Sequence, residues 1–440
     1  MAETAGVLYG LERVIEGAVA LTKGITYPTL PLKATLTPVT SVPLPQSCQS
    51  LSIIKGRGYA FGGKTTSKNG GQELADNDVH VIILPSSGVE SADYKRIVAK
   101  ENDTSRRFGH SASVVDDRVF VFGGKDTDDG EPLYEAGRVW VFDTISNKWS
   151  YLDPSGGKIP EPRTQHASVA SVHPQPVQRR TDEGYLPQQP PDPAKIVPEP
   201  PSPDSYGTVI IQGGLGESGA VLNDMWSFDI SSKSWSELPE PPPPASSGPS
   251  LALVDQRLYS FSDGQTSYLD LTHSSFDDRG GQGELGLAPL GPWTTLPDAS
   301  TTPEKPHPGE RTGSSLIPVT TGQGRNYLLL IGGRNSSGEQ LEDIWALQLR
   351  PEGMTAASFK DAARQAISKD TGETAWEEVK YYDSEGVLIQ EGQRRQGLAG
   401  RSGFAVAKDE AFDGATVVLW GGIGRNGEVL EDGLMVTVDR

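Results

Sequence analysis

Short apolar, β-rich runs recur along the chain, and five of them end in a pair of glycines. The runs are YAFGG ending at Gly63, VFVFGG at Gly124, VIIQGG at Gly214, LLLIGG at Gly333 and VVLWGG at Gly422. One double glycine marks an ordinary turn, but five of them after β-rich runs indicate an internal repeat. This repeat predicts many short strands rather than helices.

Each repeat contains signals for four strands. A polar segment leads into the first strand, and the second strand ends in the double glycine. The third strand carries an aromatic residue two positions after an Asp or its equivalent, and the fourth begins near another tryptophan. Examples are NDMWSFD at Trp226, EDIWALQ at Trp345, KSWSELP at Trp235 and TAWEEVK at Trp376. Four short strands with periodic glycine and aromatic markers are typical of a propeller blade.

These markers resemble the Kelch repeat, whose blades carry a double glycine and a spaced aromatic pair. The resemblance covers roughly residues 34–440. It implies an all-β, six-bladed propeller with four antiparallel strands in each blade. One unit, RLYSFSDGQTSYLDL, is degenerate because Ser262, Asp263 and Gly264 stand where its double glycine should be. It keeps the order of the other units, including Trp293, and is counted as a blade.

The two ends of the chain predict how the ring closes. The last unit stops after its third strand, DGLMVTVD, whereas the alternating segment Leu32–Val42 belongs to no unit. If this segment is the fourth strand of the last blade, the ring is closed and both strand edges are covered. We therefore assign residues 1–31 to an N-terminal arm and 32–440 to the propeller. The arm is predicted to contain an amphipathic helix, whose apolar side is formed by Val7, Leu11, Val14, Ile15 and Val19. This helix either packs on the propeller or binds a partner.

Three long connections are predicted on the face that carries the loops between strands one and two and between strands three and four. They are a proline-rich insertion at 173–205 and two further insertions at 277–291 and 351–374. The proline density of the first predicts an extended, polyproline-like segment. The third predicts a short helix near Thr355–Ser368, with Phe359, Ala363 and Ile367 on one face.

Composition and charge exclude several classes of partner. The formal net charge is −19, and nucleic acids and anionic lipids both require clustered Lys and Arg, so neither is predicted as a partner. Cys48 is the single cysteine, so no internal disulfide is expected. The sequence shows no secretory signal and no apolar run near the roughly 20 residues that span a bilayer. We expect a cytoplasmic or nuclear protein that is not secreted.

The opposite face, formed by the loops between strands two and three and by the links between blades, carries the candidate partner-binding residues. Four arginines precede the first strand at matching positions, and two more lie in the last link: Arg107, Arg163, Arg311, Arg401, Arg394 and Arg395. Guanidiniums around one pore mouth would attract a carboxylate, a phosphate or an acidic peptide. The resemblance implies the same, because Kelch proteins that bind acidic peptides use arginines of this face. The alternative is that each arginine pairs with an Asp or Glu of the neighbouring loop.

Candidate catalytic and metal-binding residues are few. His110 and His166 occupy the same position in neighbouring blades, three residues after the arginine. They could hold a metal, transfer a proton or act only as structural hydrogen-bonding groups. The remaining loop histidines, His173, His273 and His307, show no ligand spacing.

The resemblance to Kelch proteins also suggests a comparison with a known type of iron site. Kelch specifier proteins, which redirect glucosinolate breakdown, have an iron site of the pattern Glu-x3-Asp-x3-His. Asp76 and His80 fit two of its positions, but Gln72 stands at the first. His80 also falls at the third-strand position that tryptophans hold in other repeats. The pair is therefore a weak metal candidate, and no cofactor is predicted.

The sequence predicts a non-catalytic interaction module that binds a partner protein or acidic peptide through the arginine-rich face. The alternative is a small-molecule enzyme, a specifier-like lyase or an isomerase or cyclase. It would use the pore mouth, with arginine and the pair His110 and His166 as acid–base groups. A closed, partly apolar pocket with converging polar groups would favour the enzyme.

Overall fold

The computed structural model shows six β-sheets arranged as the blades of a propeller. The N-terminal arm up to residue 27, most of the proline-rich insertion, and both Arg394 and Arg395 lie outside the described residues. The described residues are 28–39, 44, 46–67, 69–84, 93–101, 103–175, 206–278, 281–297, 306–321, 324–351, 356–367, 371–382, 386–389, 398–408 and 414–439.

The first three blades are regular antiparallel sheets in which the strands pair in chain order. Blade one contains β2 (Ser50–Ile54), β3 (Arg57–Phe61), β6 (Val79–Ile83) and β7 (Asp93–Ile97), with a small hairpin of β4 (Lys64–Thr66) and β5 (Gln72–Leu74). Blade two contains β8 (Ser111–Val115), β9 (Arg118–Phe122), β10 (Val139–Asp143) and β11 (Lys148–Leu152). Blade three contains β12 (Ala167–Ser171), β13 (Thr208–Leu215), β14 (Val221–Asp229) and β15 (Ser234–Leu238).

The last three blades include two departures from the four-strand plan. Blade four contains β16 (Ser250–Val254), β17 (Arg257–Ser262), β18 (Gln265–Asp278) and the short β20 (Thr294–Thr295), with β19 (Gly281–Pro289) paired to the far end of β18. Blade five contains β21 (Ser315–Thr321), β22 (Arg325–Ile331), β23 (Ile344–Gln348) and β24 (Trp376–Glu378). Blade six contains β26 (Ala405–Ala407), β27 (Thr416–Trp420), β28 (Gly433–Asp439), β1 (Lys33–Val39) and β25 (Lys380–Tyr382).

The predicted closure of the ring by the beginning of the chain is confirmed. Strand β1 pairs antiparallel with β28, from Lys33 opposite Asp439 to Val39 opposite Gly433. The outer edge of β1 is in turn covered by β25, which runs parallel to it. The first and last segments of the described propeller therefore share one sheet, in which β28 pairs with the whole of β1 and β25 covers its outer edge at Lys33, Ala34 and Thr35.

The core consists of six clusters of buried side chains, each lying between two neighbouring blades. Between blades two and three, for example, Phe122 packs against Trp235 with ring centroids 5.0 Å apart. The indole Nε1 of Trp235 donates to the Gly137 carbonyl at 2.8 Å, so its polar atom is satisfied inside the core. Burial of one such aromatic side chain stabilises the fold by roughly 1.5–3 kcal/mol, and each cluster joins two sheets.

The insertion at 277–291 is not a loop. Strand β18 continues past the blade and pairs with β19, from Leu271 opposite Pro289 to Asp278 opposite Gly281. The fourth strand of blade four is reduced to β20, which pairs with Ser267 and Tyr268. An antiparallel hairpin satisfies the backbone polar groups that an irregular insertion would leave to water, and it extends blade four well beyond its neighbours.

The predicted helix is present as α1 (Ala356–Ala366), but its apolar side faces outward. Phe359 is 71% exposed and Ile367, just after the helix, is 54% exposed. The buried side instead carries Asp361, whose carboxylate binds both terminal nitrogens of Arg325 at 2.7 and 2.5 Å. Because Arg325 is itself buried, its need for a carboxylate outweighs the burial of one apolar stripe. No helix among the described residues combines the length and apolarity needed to cross a bilayer.

Candidate functional site

The four arginines at matching positions, hereafter the repeat arginines, are buried ion-pair residues of their own blades. Three are 0% exposed and Arg311 is 4% exposed. Each guanidinium binds one carboxylate with two hydrogen bonds of 2.6–3.0 Å. The pairs are Arg107 with Glu135, Arg163 with Asp224, Arg311 with Asp343 and Arg401 with Asp432.

This arrangement corrects the prediction of an exposed, arginine-lined mouth. The two-pronged pairing with a carboxylate is the strongest that arginine makes. A guanidinium held in this way and removed from water is not accessible to an acidic ligand. The alternative considered from the sequence gives the right kind of partner, a carboxylate of the same blade, although Asp224 lies on strand β14 rather than in a loop.

The paired carboxylates also fix the third-strand tryptophans. Asp224 accepts the indole N–H of Trp226 at 2.7 Å in addition to the two bonds from Arg163. The other indoles are held in the same way, Trp140 by Glu135 and Trp345 by Asp343. Burial by itself acts to raise the pKa of the Asp224 carboxyl, but the hydrogen bonds from Arg163 and Trp226 bring it below its ordinary value. The carboxylate is therefore charged at neutral pH.

Arg163 illustrates how a repeat arginine forms hydrogen bonds with the double glycines of two blades, its own and the preceding one. The side chain of Arg163 donates to the carbonyl of Gly213 in its own blade at 3.1 Å. Its backbone carbonyl accepts the N–H of Gly124 in the preceding blade at 2.8 Å. Gly123 has φ +64°, and a Cβ on it would lie 2.5 Å from the same Arg163 carbonyl oxygen. Only glycine fits there, because both the left-handed backbone and the close approach exclude a side chain.

The two equivalent histidines, His110 and His166, lie between blades and are almost fully buried. His110 Nε2 is 2.9 Å from the Ser50 hydroxyl of the preceding blade, and His166 Nε2 is 2.7 Å from the Ser111 hydroxyl. Their Nδ1 atoms have no hydrogen-bond partner among the described groups. Burial first, and then the charge of Arg107, lower the pKa of His110 to about 3. Burial and Arg163 lower the pKa of His166 as well. Both rings are neutral packing residues at neutral pH.

Asp76 and His80 do come together, within a hydrogen-bond network of blade one. His80 Nε2 lies 3.0 Å from Asp76, and Nδ1 lies 2.7 Å from the Tyr94 hydroxyl. The hydrogen bond with His80 is the main cause that lowers the pKa of the Asp76 carboxyl, whose other oxygen accepts from Arg96 at 2.8 Å. Gln72 points elsewhere and donates to the Gly427 carbonyl. Both ring nitrogens of His80 are therefore engaged within the blade, as expected of a residue at a packing position.

The axial channel has a volume of about 840 Å³ and is lined by the first strands of all six blades. Its wall is made mainly of small and apolar side chains, such as Ala112, Ser168 and Leu253. At the face with the loops between strands one and two, Lys55 and Asp117 form an ion pair of 2.7 Å at its rim. Of the described residues, neither the repeat arginines nor His110 and His166 line the channel.

A second cavity lies on the double-glycine face, between blades four and five. This groove has a volume of about 620 Å³, and its lining includes Asp263, His307, Glu310 and Asn335. It exists because the degenerate blade joins its second and third strands by a two-residue turn, with Ser262 paired directly to Gln265. The departure from the repeat that the sequence shows at Asp263 thus marks the groove, although the pattern alone gave no indication of its shape.

Comparison with protein families agrees with this architecture. The family model described as the KLHDC2/KLHL20/DRC7 Kelch-repeats domain matches residues 31–175. These residues include β1, blades one and two, and the first strand of blade three. The chain folds as a six-bladed β-propeller of the Kelch type. The same combination of double glycine and paired arginine continues through blades five and six, beyond the residues that the family model matches.

The chain is similar to proteins of different descriptions. The F-box/kelch-repeat protein At1g51550 of Arabidopsis thaliana is 24% identical over 72% of this chain and 59% of its own length. The N-(sulfonatooxy)prop-2-enimidothioate sulfolyase of Thlaspi arvense is 24% identical over 46% of each chain. A solved structure described as "Structure of YjhT" aligns with 91% of this chain and 99% of its own, at 13% identity and TM-score 0.48. This Kelch propeller thus spans 59% and 46% of the two curated relatives.

The buried histidines of the Kelch blades predict a defined loss of stability in acid. In the unfolded chain, His110 and His166 bind protons below a pH of about 6.5, whereas in the folded chain the pKa of His110 is about 3. We expect the free energy of unfolding to fall as pH drops from about 6.5 towards 3, by up to about 1.4 kcal/mol per pH unit for each histidine. Urea unfolding at a series of pH values measures this slope.

The control compares two variants over the same pH range. His110→Gln/His166→Gln removes both titrating groups and should give a shallower slope than the wild type. His307→Gln, which changes a histidine of the groove, should keep the wild-type slope. An unchanged slope in the double variant would contradict the assignment of neutral, buried rings.

Proposed function

We propose that this protein is a non-catalytic interaction module of the cytosol or nucleus, which binds a partner protein on its double-glycine face. The Kelch fold supports a protein-interaction role in general. The observation that carries the more specific proposal is the groove between blades four and five, lined by Asp263, His307 and Glu310. A concave site of several hundred Å³ on a rigid scaffold is the usual form of a binding site.

The charge of this groove favours a basic rather than an acidic partner. Asp263 and Glu310 are exposed carboxylates, and no Lys or Arg of the described residues lines the groove. Four of the six guanidiniums predicted to attract an acidic partner are held in the buried pairs of the repeat arginines. Pro244 and Pro308 supply rigid apolar walls. We therefore expect an extended segment with Lys or Arg side chains, since charge complementarity mainly sets specificity and association rate.

A peptide-binding measurement tests this proposal. Fluorescence polarisation at low salt compares a labelled Lys/Arg-rich peptide with an acidic peptide of equal length. We expect the basic peptide to bind the propeller and the acidic one not to bind. Asp263→Lys/Glu310→Lys should weaken binding of the basic peptide by about tenfold or more, the effect of roughly 1.4 kcal/mol.

The matched control places the same charge change elsewhere on this face. Glu73→Lys/Glu428→Lys alters two exposed carboxylates in blades one and six, outside the groove. Equal loss of binding in both double variants would show a general charge effect and remove the groove from the proposal. Preferential binding of the acidic peptide would overturn the proposed partner chemistry.

The alternative of a small-molecule enzyme is favoured only by the similarity to the sulfolyase. The acid–base pair that it required, His110 and His166, is buried between blades and does not line the channel. The Asp76 and His80 pair is likewise engaged inside blade one. We therefore propose the binding role and do not extend the sulfolyase reaction to this chain.

A further inference from the structure

Two histidines and a glutamate from separate segments converge beside the channel mouth. His173 follows β12 at the start of the connection between strands one and two of blade three, while His273 lies on β18 and Glu284 on β19. Their ligand atoms all lie within 4.8 Å of one another. Val172, which precedes His173, lines the channel. The cluster therefore stands at the channel rim, where the blade-four hairpin meets blade three.

The three side chains face one another directly. His173 Nδ1 is 2.7 Å from one Glu284 oxygen, and His273 Nε2 is 3.5 Å from the other. The two imidazole rings are parallel, with centroids 4.3 Å apart and an angle of 4° between their planes. Two imidazole nitrogens and one carboxylate form a ligand set that zinc takes in proteins. Each side chain is less than one-third exposed, so the set is partly shielded from water.

Neighbouring groups hold each ligand in place. The Gln175 N–H donates to Glu284 at 2.7 Å, and the Thr208 hydroxyl donates to the His173 carbonyl at 2.8 Å. The Gln256 side-chain amide lies 3.1 Å from His273 Nδ1, which leaves Nε2 of that ring facing the glutamate. When Nε2 coordinates a metal, the amide presents its oxygen to the Nδ1 proton, an orientation that an amide reaches by rotation. Such outer partners fix ligand orientation in known metal sites.

The charge of the cluster also suits a cation. Glu284 supplies a carboxylate whose two oxygens face the two histidine rings. Lys55, also at the channel rim, is paired with Asp117, so its charge is already balanced.

We propose that His173, His273 and Glu284 bind one zinc ion. Three protein ligands leave one position of a tetrahedral site to water or to a ligand, in contrast to structural zinc sites with four protein ligands. The ion would join the segment at 173–175 to the blade-four hairpin. It would thereby fix the start of the proline-rich insertion beside the channel mouth. This site lies on the opposite face from the proposed peptide groove, so the two proposals stand independently.

Metal titration of the full chain tests the site. The purified protein is stripped with a chelator and titrated with ZnCl₂ by calorimetry, and with Co²⁺ by visible absorption. We expect one zinc per chain and the intense visible bands of four-coordinate Co²⁺. His273→Ala and Glu284→Gln should each weaken zinc binding by about a hundredfold or more, because losing even an outer partner of a ligand costs about 10–100-fold.

Two matched variants and one fold measurement complete the experiment. His307→Ala and Glu237→Gln remove a histidine and a glutamate outside the cluster and should bind zinc like wild type. Thermal unfolding without metal should be alike in all variants, while added zinc should raise the Tm only where the three ligands are intact. Less than one equivalent of zinc in the wild type, or equal affinity in His273→Ala and His307→Ala, would overturn the proposal.

Discussion

Replacing Asp224 with alanine is expected to lower the free energy of unfolding by about 3–5 kcal/mol, because it leaves a buried guanidinium without its carboxylate. Arg163 is 0% exposed and donates both of its charge-assisted bonds to Asp224. Trp226 would lose the acceptor of its indole N–H as well. Equilibrium urea unfolding, followed by tryptophan fluorescence and circular dichroism, measures the change.

An exposed ion pair on the neighbouring blade provides the control. Arg138 and Asp153 also form a two-pronged pair, with distances of 2.6 and 3.0 Å, but their side chains are 30% and 54% exposed. Asp153→Ala should therefore cost only about 0.2–1 kcal/mol. Similar losses for Asp224→Ala and Asp153→Ala would show that burial of the repeat arginines does not determine their contribution.

A large loss of stability in Asp224→Ala would also mean that the repeat arginines are unsuitable positions for testing partner binding. Charge reversal at Arg311 and Arg401 would place new carboxylates against Asp343 and Asp432 inside the blades. Such variants are expected to lose stability, so a loss of partner capture would follow from unfolding rather than from a changed surface. The exposed carboxylates of the groove, Asp263 and Glu310, allow a test that leaves the blades intact.

Replacing Gly421 with alanine should destabilise the propeller by about 2–5 kcal/mol, the sum of backbone strain and overpacking. The backbone there has φ +64°, and a Cβ would lie 2.1 Å from the Gln46 carbonyl oxygen. A left-handed backbone costs a residue with a Cβ about 1–2 kcal/mol, and overpacking against main chain adds about 1–3 kcal/mol. Because Gln46 belongs to the segment leading into blade one, the clash falls where the last blade meets the first. Urea unfolding again gives the magnitude.

Two other glycines separate backbone strain from the clash. Gly427 has φ +79° and no atom within 4 Å of the place a Cβ would take, and Gly71 has open space without a positive φ. Gly427→Ala should therefore show the strain alone, about 1–2 kcal/mol, while Gly71→Ala should be close to neutral. If Gly421→Ala costs no more than Gly427→Ala, the close approach between blades is not what requires glycine.

The repeat arginine and the double glycine together form hydrogen bonds that join neighbouring blades. The arginine side chain binds its own blade, and its backbone carbonyl receives the N–H of the preceding double glycine, as at Arg163 and Gly124. Blade one has Gln46 in place of the arginine, and Gln46 still accepts the Gly422 N–H at 2.9 Å. The backbone hydrogen bond between blades is therefore present where blade six meets blade one, although no arginine ion pair accompanies it.

Helix α1 and the cluster of His173, His273 and Glu284 show why a sequence pattern can fail to predict which side chains come into contact. The stripe of Phe359, Ala363 and Ile367 has helical spacing, but Asp361 and its partner Arg325 determine which side of α1 is buried. His173 and Glu284 are 111 residues apart, and a hairpin of blade four brings them together. In both cases the decisive partner belongs to another element, and short spacing along the chain carries no information about it.

The sequence by itself determined the repeat, the number of blades and the closure of the ring. Those features depend on local requirements, positive φ at the glycines and short apolar strands that end there, which recur at each repeat and can be recognised without a partner. Only the tertiary structure decided that the repeat arginines are buried, that a groove opens between blades four and five, and that two histidines meet a glutamate. The charge and exposure of a side chain depend on groups far away in the chain, such as Asp224, 61 residues after Arg163, and folding alone brings them into contact.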